Sequence, residues 1–427
     1  MSKKVRPPLT TSAAERVVFS NASALLAVQI ANYIFPFLVL PYLTRTLGPH
    51  TYGVIAFGLS VSQLACIITD YGFALSATYV IARHRDDKAY VCNVVGGVYV
   101  CKMGLVIVVS LAVAAYALLN SKYAEDTAIL TLMVLPIIGQ TFQPVWFFQG
   151  VEKMVRITLY TLASKLVYVV LVLALVRERQ DAYWVPVAFG CAQVFLAVVG
   201  IWQIYRDGYA IKVPNRKMIR DLWVDSTSYF WARAAVATYT SGGAFFLGLF
   251  STPPQVAFYA SAEQLYRAAQ SLMAPMSQAI FPHMAKSRNF RMLFTTIKWM
   301  QILCLVGVSI GLVIAPWLIR LLFGEAFIET YPILIIFLIT LTVTTPSVLL
   351  GYPLLGALGK ASLANLSVLL AGGLQILLLT AAYWFGETSA MTVVSCVLLV
   401  ETTVLILRAY WGRREYRKYL LADPRTE

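Results

Sequence analysis

The stretch Val91–Leu118, VCNVVGGVYVCKMGLVIVVSLAVAAYAL, holds one charged residue, Lys102, in 28 positions. A helix rises about 1.5 Å per residue, so the run exceeds the ~20 residues needed to cross a hydrocarbon core of roughly 30 Å. It reads as a membrane span with a lysine near its middle. Eleven further apolar runs, separated by turn residues or charge clusters, lie at 20–43, 51–78, 125–149, 155–176, 183–205, 222–249, 255–283, 291–315, 328–354, 361–385 and 389–410. The expected fold is therefore an all-α polytopic membrane protein with twelve transmembrane helices. The run at 20–43 is too long for a cleaved signal and lacks a small-residue cleavage site after it.

Composition agrees with that reading. Of 427 residues, 59% are hydrophobic and 13% charged, with a mean hydropathy of +0.72. Soluble chains carry about 45–50% apolar and about 25% charged residues. The six cysteines sit singly in apolar runs, with no CxxC pair and no His/Cys cluster. They read as small core residues, and no metal site is expected.

The net charge of +14 is a topology signal. Alternate loops and the two tails hold 24 Lys and Arg on one side against 5 on the other. Positive residues mark the cytoplasmic face, so both termini are expected in the cytoplasm. Nucleic-acid binding is then unnecessary to explain the charge. Arg408 is counted with the basic C-terminal tail.

Five basic residues fall inside spans: Lys102, Lys165, Arg233, Arg267 and Lys298. An intramembrane charge costs at least ~2.5–3.5 kcal/mol on insertion scales and normally faces protein or water. Lys298 lies near a cytoplasmic end and is expected to snorkel. The others sit deeper, although Lys102 could also snorkel into lipid.

The sequence offers no support for an enzyme or a cofactor. It has no P-loop, HExxH or GxSxG pattern, and its outside connections are short. His50, His84 and His283 lie at span ends, so no histidine relay crosses the bilayer.

The cytoplasmic connection near 206–221 divides the runs six and six, into lobes 1–210 and 211–427 forming two six-helix bundles. Two echoes support duplication. Phe148–Lys153 (FQGVEK) returns as Leu355–Lys360 (LGALGK) 207 residues later, and the hairpin at Leu47–Tyr52 returns near Ser251–Gln255.

Polar residues at helical spacing mark faces within several spans. The first has Gln29, Asn32, Tyr33 and Pro36, and the second has Ser60, Gln63 and Asp70. The fourth has Gln140, Gln143, Trp146 and Gln149, and the seventh has Asp225, Tyr229, Arg233 and Thr240. The eighth is the most polar, with Tyr259, Glu263, Arg267, Gln270, Ser277 and Gln278. Single polar positions suit helix–helix bonding at about 0.6–2 kcal/mol each. Full-length stripes suit a water-filled path.

Glu263 and Arg267, four residues apart, read either as an internal ion pair or as path-lining groups. Asp70 reads as a salt bridge to Arg83 or Arg85, or as an ion carrier. Glu401 has two readings, helix packing and ion coupling. The surplus of Lys and Arg suits an anion such as phosphate, and the aromatics suit sugar rings.

Asn32–Gly48, NYIFPFLVLPYLTRTLG, followed by Tyr52-Gly53, resembles the first-span signature of the Wzx-type polysaccharide flippases. Asp70-Tyr71-Gly72-Phe73 with Ser76 and Ile81-Ala82-Arg83 is similar to the end of their second span. Trp146–Gly150 and Tyr259–Glu263, through Pro275, Gln278 and Pro282, extend the likeness. The resemblance implies the multidrug/oligosaccharidyl-lipid/polysaccharide (MOP) exporter superfamily, with two bundles rocking about a central cavity. It implies a polyprenyl-pyrophosphate-linked oligosaccharide moved from the inner to the outer leaflet of a bacterial cytoplasmic membrane. Expected partners are that lipid-linked oligosaccharide, membrane lipids and the polysaccharide polymerase and chain-length machinery.

On this reading the substrate-binding residues are Arg233, Arg267, Lys165, Lys102, Gln29, Asn32, Tyr33, Gln143, Trp146, Tyr229 and Tyr259. Glu263, Glu401 and Asp70 are the candidates for ion coupling. Two alternatives stand beside it. A cation-coupled multidrug antiporter of the same fold would show surplus acid in the cavity. A membrane-embedded glycan polymerase would need a substantial outside loop.

Overall fold

The computed structural model describes the backbone from Thr11 to Ala422, apart from residues 272–279, 282–283, 285 and 287. Side chains are described at 35 and from 37 onward, apart from those positions and 232, 238–240 and 422. The polar residues expected at Gln29, Asn32, Tyr33, Thr240, Ser277 and Gln278 therefore lie outside the described side chains.

The described residues form helices and no strand. In order they are α1 (Thr11–Asp70), α2 (Phe73–Arg83), α3 (Lys88–Leu119), α4 (Thr127–Leu132), α5 (Val134–Thr141), α6 (Val145–Gly150) and α7 (Met154–Leu175). There follow α8 (Trp184–Arg206), α9 (Arg216–Phe250), α10 (Pro253–Ser271), α11 (Phe290–Phe323), α12 (Thr330–Leu349), α13 (Ala361–Trp384) and α14 (Ala390–Ala422). Among the described residues nine stretches are long and apolar enough to cross a membrane. The run at 222–249 falls on α9, whose Ser241–Phe250 part is a shorter apolar helix, and the run at 255–283 begins on α10 and continues beyond the described residues.

One turn expected from the chain is present, and one expected span is interrupted. Gly48 breaks α1 at φ 72°, a conformation open to glycine because it lacks a Cβ, and so separates the first two runs. The fourth run is not one helix: α5 stops at Thr141 and α6 starts at Val145. Pro144 has no N–H to donate and disfavours a helical Gln143 before it. The expected stripe of Gln140, Gln143, Trp146 and Gln149 is broken there. Gln143 lies in the interruption and bonds Gln193, Trp146 is buried and Gln149 is exposed.

The FQGVEK/LGALGK echo is a repeated piece of backbone. Lys153 N–H donates to the Phe148 carbonyl at 2.9 Å, and Lys360 N–H donates to the Leu355 carbonyl at 2.7 Å. Each is the wide bond that closes a helix with a left-handed residue, here Glu152 (φ 59°) and Gly359 (φ 74°). Both turns follow an interrupted helix, at Pro144 in the first half and at Gly351 (ψ −117°) in the π-type turn Leu350–Gly356 in the second.

The described residues fall into two compact units that exchange segments relative to the sequence halves. The first takes the chain up to Val39 and Ala65–Phe230, and the second takes Leu40–Leu64 and the chain from Trp231 onward. In the second unit Gly53 and Gly248 allow this exchange. A Cβ on Gly53 would sit 1.8 Å from the Pro253 carbonyl oxygen, and one on Gly248 would sit 1.8 Å from the Phe57 ring.

In the first unit the connection after α8 lies against α3. A Cβ on Gly96 would fall 1.6 Å from the Lys212 carbonyl oxygen, and Lys212 N–H donates to the Cys92 carbonyl at 3.4 Å. Asp207 anchors this segment through Lys153 at 2.8 Å and Arg156 at 2.7 Å. Burial alone would raise the Asp207 carboxyl, but hydrogen bonds and charge from Lys153 and then Arg156 outweigh it and hold it below its ordinary value. The core around this anchor contains Phe73, Ile81, Val95, Trp146, Phe147 and Phe148.

Candidate functional site

The second unit encloses a cavity of about 250 Å³. Four helices supply its walls: α10 gives Tyr259, Glu263, Tyr266, Arg267 and Gln270, and α12 gives Phe337, Thr344, Ser347 and Val348. α13 adds Val368 and Ala371, and α14 adds Val397, Glu401, Val404 and Arg408. The eighth-span stripe is thus real geometry, because its residues from Tyr259 to Gln270 recur at helical spacing and face one space.

Arg267 donates to Glu263 at 3.0 Å across one helical turn. The pair is part-exposed, at 34% and 17%, so both heads remain accessible from the cavity. Below it, Tyr266 shares a hydrogen bond with Thr344 at 3.2 Å and accepts from Gln270 at 3.3 Å. The Tyr266 ring stacks on Phe337 with centroids 4.9 Å apart. Tyr259, buried beside Phe337, is fixed as wall rather than as a free surface.

Glu401 is only 6% exposed and lines the cavity from α14. Arg408, seven residues on, reaches the same cavity, so its place in the basic tail is corrected. Its Nε donates to Ser367 Oγ at 2.9 Å and its Nη1 to the Ser347 carbonyl at 2.9 Å. The missed signal was spacing: 401 and 408 are two turns apart on one helical face, inside the apolar run 389–410. Among the described residues, the charges lining the cavity are two acids and two bases, Glu263, Glu401, Arg267 and Arg408. The described lining of this cavity thus carries no surplus of positive charge of the kind expected from sequence.

The other predicted residues are dispersed. In the first unit Lys102 Nζ meets Asp70 at 2.9 Å, with side-chain exposures of 3% and 14%, and also donates to the Thr141 carbonyl at 3.3 Å. Lys102 therefore does not snorkel into lipid. Asp70 has Lys102 as a partner 32 positions away, which no local pattern announces. Arg85 pairs with Glu152 instead, at 2.8 Å. Lys165 is half-buried on α7, Tyr229 is exposed on α9 in the first unit, and Arg233 is half-buried on α9 in the second, outside the cavity lining. Trp146 is 2% exposed in the aromatic core, so its ring is not offered to a sugar. Lys298 is exposed on α11.

Among the described residues no group of His, Cys, Asp and Glu could hold a metal ion.

A long apolar helical chain with interrupted helices and a charged internal cavity is a polytopic membrane protein, and its fold is that of the MOP transporters. It aligns with a structure described as "Lipid II flippase MurJ, inward closed conformation" at a TM-score of 0.74 and 12% identity, covering 93% of this chain and 90% of that one. It aligns with an outward-facing multidrug resistance MATE family transporter of the MOP superfamily at a TM-score of 0.56 and 15% identity, covering 94% and 95%. The chain belongs to the polysaccharide biosynthesis protein family, whose pattern matches residues 18–288. That span includes the segments that resemble the Wzx-type flippases. A protein of Escherichia coli (strain K12) named "Putative O-antigen transporter" is 28% identical over 323 residues, covering 74% of this chain and 78% of that one. A protein of the same name from Shigella dysenteriae is 28% identical over 271 residues, covering 63% and 68%.

Proposed function

We propose that this chain is a flippase that carries a polyprenyl-pyrophosphate-linked oligosaccharide from the inner to the outer leaflet of a bacterial cytoplasmic membrane by alternating access. The carrying observation is the identity to the named O-antigen transporter over three quarters of the chain. The fold it shares with a lipid II flippase supports the same reading. Isolated charges cost tens of kcal/mol in a medium of low dielectric, by Born estimates, so a pyrophosphate and its sugars need a sheltered route while the polyprenyl tail stays in lipid. No covalent chemistry is required, and the role is that of a transporter rather than an enzyme.

Within this reading the moving lobes are the sequence halves 1–210 and 211–427, both termini are cytoplasmic, and polymerase and chain-length proteins receive the product. Arg267 and Arg233 are the anion-facing cations, with Lys165 as a third. Glu401 is the candidate carrier of a coupling proton or Na⁺, since carboxylates at membrane depth exchange them.

Lipid-linked intermediates in a strain deleted for the gene test the proposal. Repeat units accumulating on the inner leaflet, and their release on complementation, are expected. Normal transfer to the outer leaflet without the chain would reject it. For topology, alkaline phosphatase fused after Glu427 should be inactive and a fusion at Asn120–Lys122 active. The reverse pattern rejects the orientation.

A further inference from the structure

We propose that α11 and α14 together form a binding surface for acidic phospholipid headgroups, at the end of the second unit where their exposed apolar stripes turn basic. The inference rests on the membrane class of the chain and not on the flippase reading.

α14 holds 33 residues, and about 20 suffice to cross a hydrocarbon core of roughly 30 Å. Counted from Ala390, that length is spent near Tyr410, an exposed aromatic of the kind that marks membrane interfaces. One exposed stripe runs along the helix at helical spacing: Leu399, Ile406 and Tyr410, then Arg413 and Arg417. α11 holds 34 residues and shows the same order from its other terminus. There Arg291 and Lys298 lead into Ile302, Val306 and Val313 on one exposed face. The two basic ends lie side by side, because the Phe290 ring meets those of Tyr416 and Tyr419 at 5.0 and 5.3 Å. The Arg288 guanidinium, 5.7 Å over the Tyr419 ring, helps to seat the end of α14 as a fixed surface.

A bias toward positive loops would place cations on any solvated side of these ends. Here they continue the apolar stripes, which is where a lipid phosphate stands beside its own acyl chains. Glu415, about half a turn away on α14, is 10% exposed and takes Lys418 at 2.7 Å. Among the described residues no acid, hydrogen bond or ring engages Arg291, Arg413 or Arg417. Their guanidinium groups are therefore open to phosphate oxygens, which accept paired charge-assisted bonds from arginine. A zwitterionic headgroup brings its own ammonium to the same place and gains less, so the fitting partner is a lipid of net negative charge.

The test uses the purified full chain in neutral detergent, with bound lipid counted by native mass spectrometry and stability read by melting. Phosphatidylglycerol should be retained and should raise the melting temperature, while phosphatidylcholine and inorganic phosphate should do neither. Arg291→Gln, Arg413→Gln and Arg417→Gln combined should melt as wild type without lipid. They should weaken phosphatidylglycerol binding about a hundredfold, at about fivefold for each group. Lys at the same three positions should keep most of the binding, since it retains the charge. Arg216→Gln, Lys217→Gln and Arg220→Gln combined remove as much charge from an exposed stretch of the first unit and should leave binding unchanged. Should the triple Gln variant not fold, the three single variants carry the test, each weakened about fivefold. Equal retention of phosphatidylglycerol and phosphatidylcholine, as a surface built for a soluble protein would give, overturns the proposal. Undiminished binding by the Gln variants overturns it too, as does an equal loss in the first-unit control, which would leave only net charge at work.

Discussion

In the first unit Lys102 and Asp70 meet at 2.9 Å with little accessible surface, held by a backbone carbonyl. In the second unit Glu263, Arg267, Glu401 and Arg408 stand around an open volume of about 250 Å³. Both sets bring acids and bases together on helices. A sealed pair has exchanged its water for one fixed partner and keeps helices in register. Charges on a cavity wall retain a face for a ligand or ion. Burial and partner geometry, rather than depth in a span, separate a structural charge from a working one.

The comparison breaks first at Asp70. Asp70→Asn should destabilise the chain by about 3–5 kcal/mol, because Lys102 is left buried without its anion. Replacing both by apolar residues, Lys102→Met with Asp70→Leu, should recover most of that loss in a detergent melt. If the apolar pair folds but no longer exports, Lys102 and Asp70 are working groups after all and the contrast between units falls.

Gly96→Ala tests whether the segment after α8 is seated on α3. The new methyl must displace the Lys212 carbonyl, at an expected cost of about 1–3 kcal/mol. An unchanged melt would show that the segment is free to lift away.

Asp207→Asn should cost about 1 kcal/mol at neutral pH, since its Lys153 and Arg156 partners are largely exposed. A carboxyl held below its unfolded value stabilises the fold above that value, near pH 3.9, and the contribution is lost as pH falls through the lower folded value. The wild-type chain should therefore lose stability in acid more steeply than Asp207→Asn, measured as melting temperature against pH. Parallel curves would remove Asp207 as the anchor.

The smallest stability effect is expected at Arg267, and it sharpens the comparison most. Its pair with Glu263 is part-exposed, so Arg267→Ala should change stability by only about 0–1 kcal/mol. Surface glycan should nevertheless disappear at normal protein level, and Arg267→Lys should return part of it. Wild-type export by Arg267→Ala, with Arg233→Ala also exporting normally, would end the anion-binding role.

The membrane class, the helical fold, the break at Gly48 and the stripe from Tyr259 to Gln270 were legible in the chain. Each depends on neighbours within a few residues: hydropathy over ~20 positions, a missing Cβ, or the period of one helix. The repeated FQGVEK/LGALGK turn was legible for the same reason. Arg408 was within reach of that logic too, at two turns from Glu401, but counting charge by loop assigned it to the tail. Tertiary structure alone decided that Lys102 faces Asp70, that Trp146 faces the core rather than the path, and that the cavity in the second unit is balanced in charge. Those outcomes depend on which helices pack together. Residues 32 positions apart on different helices share no local periodicity, so their meeting is fixed only by close packing of the folded chain.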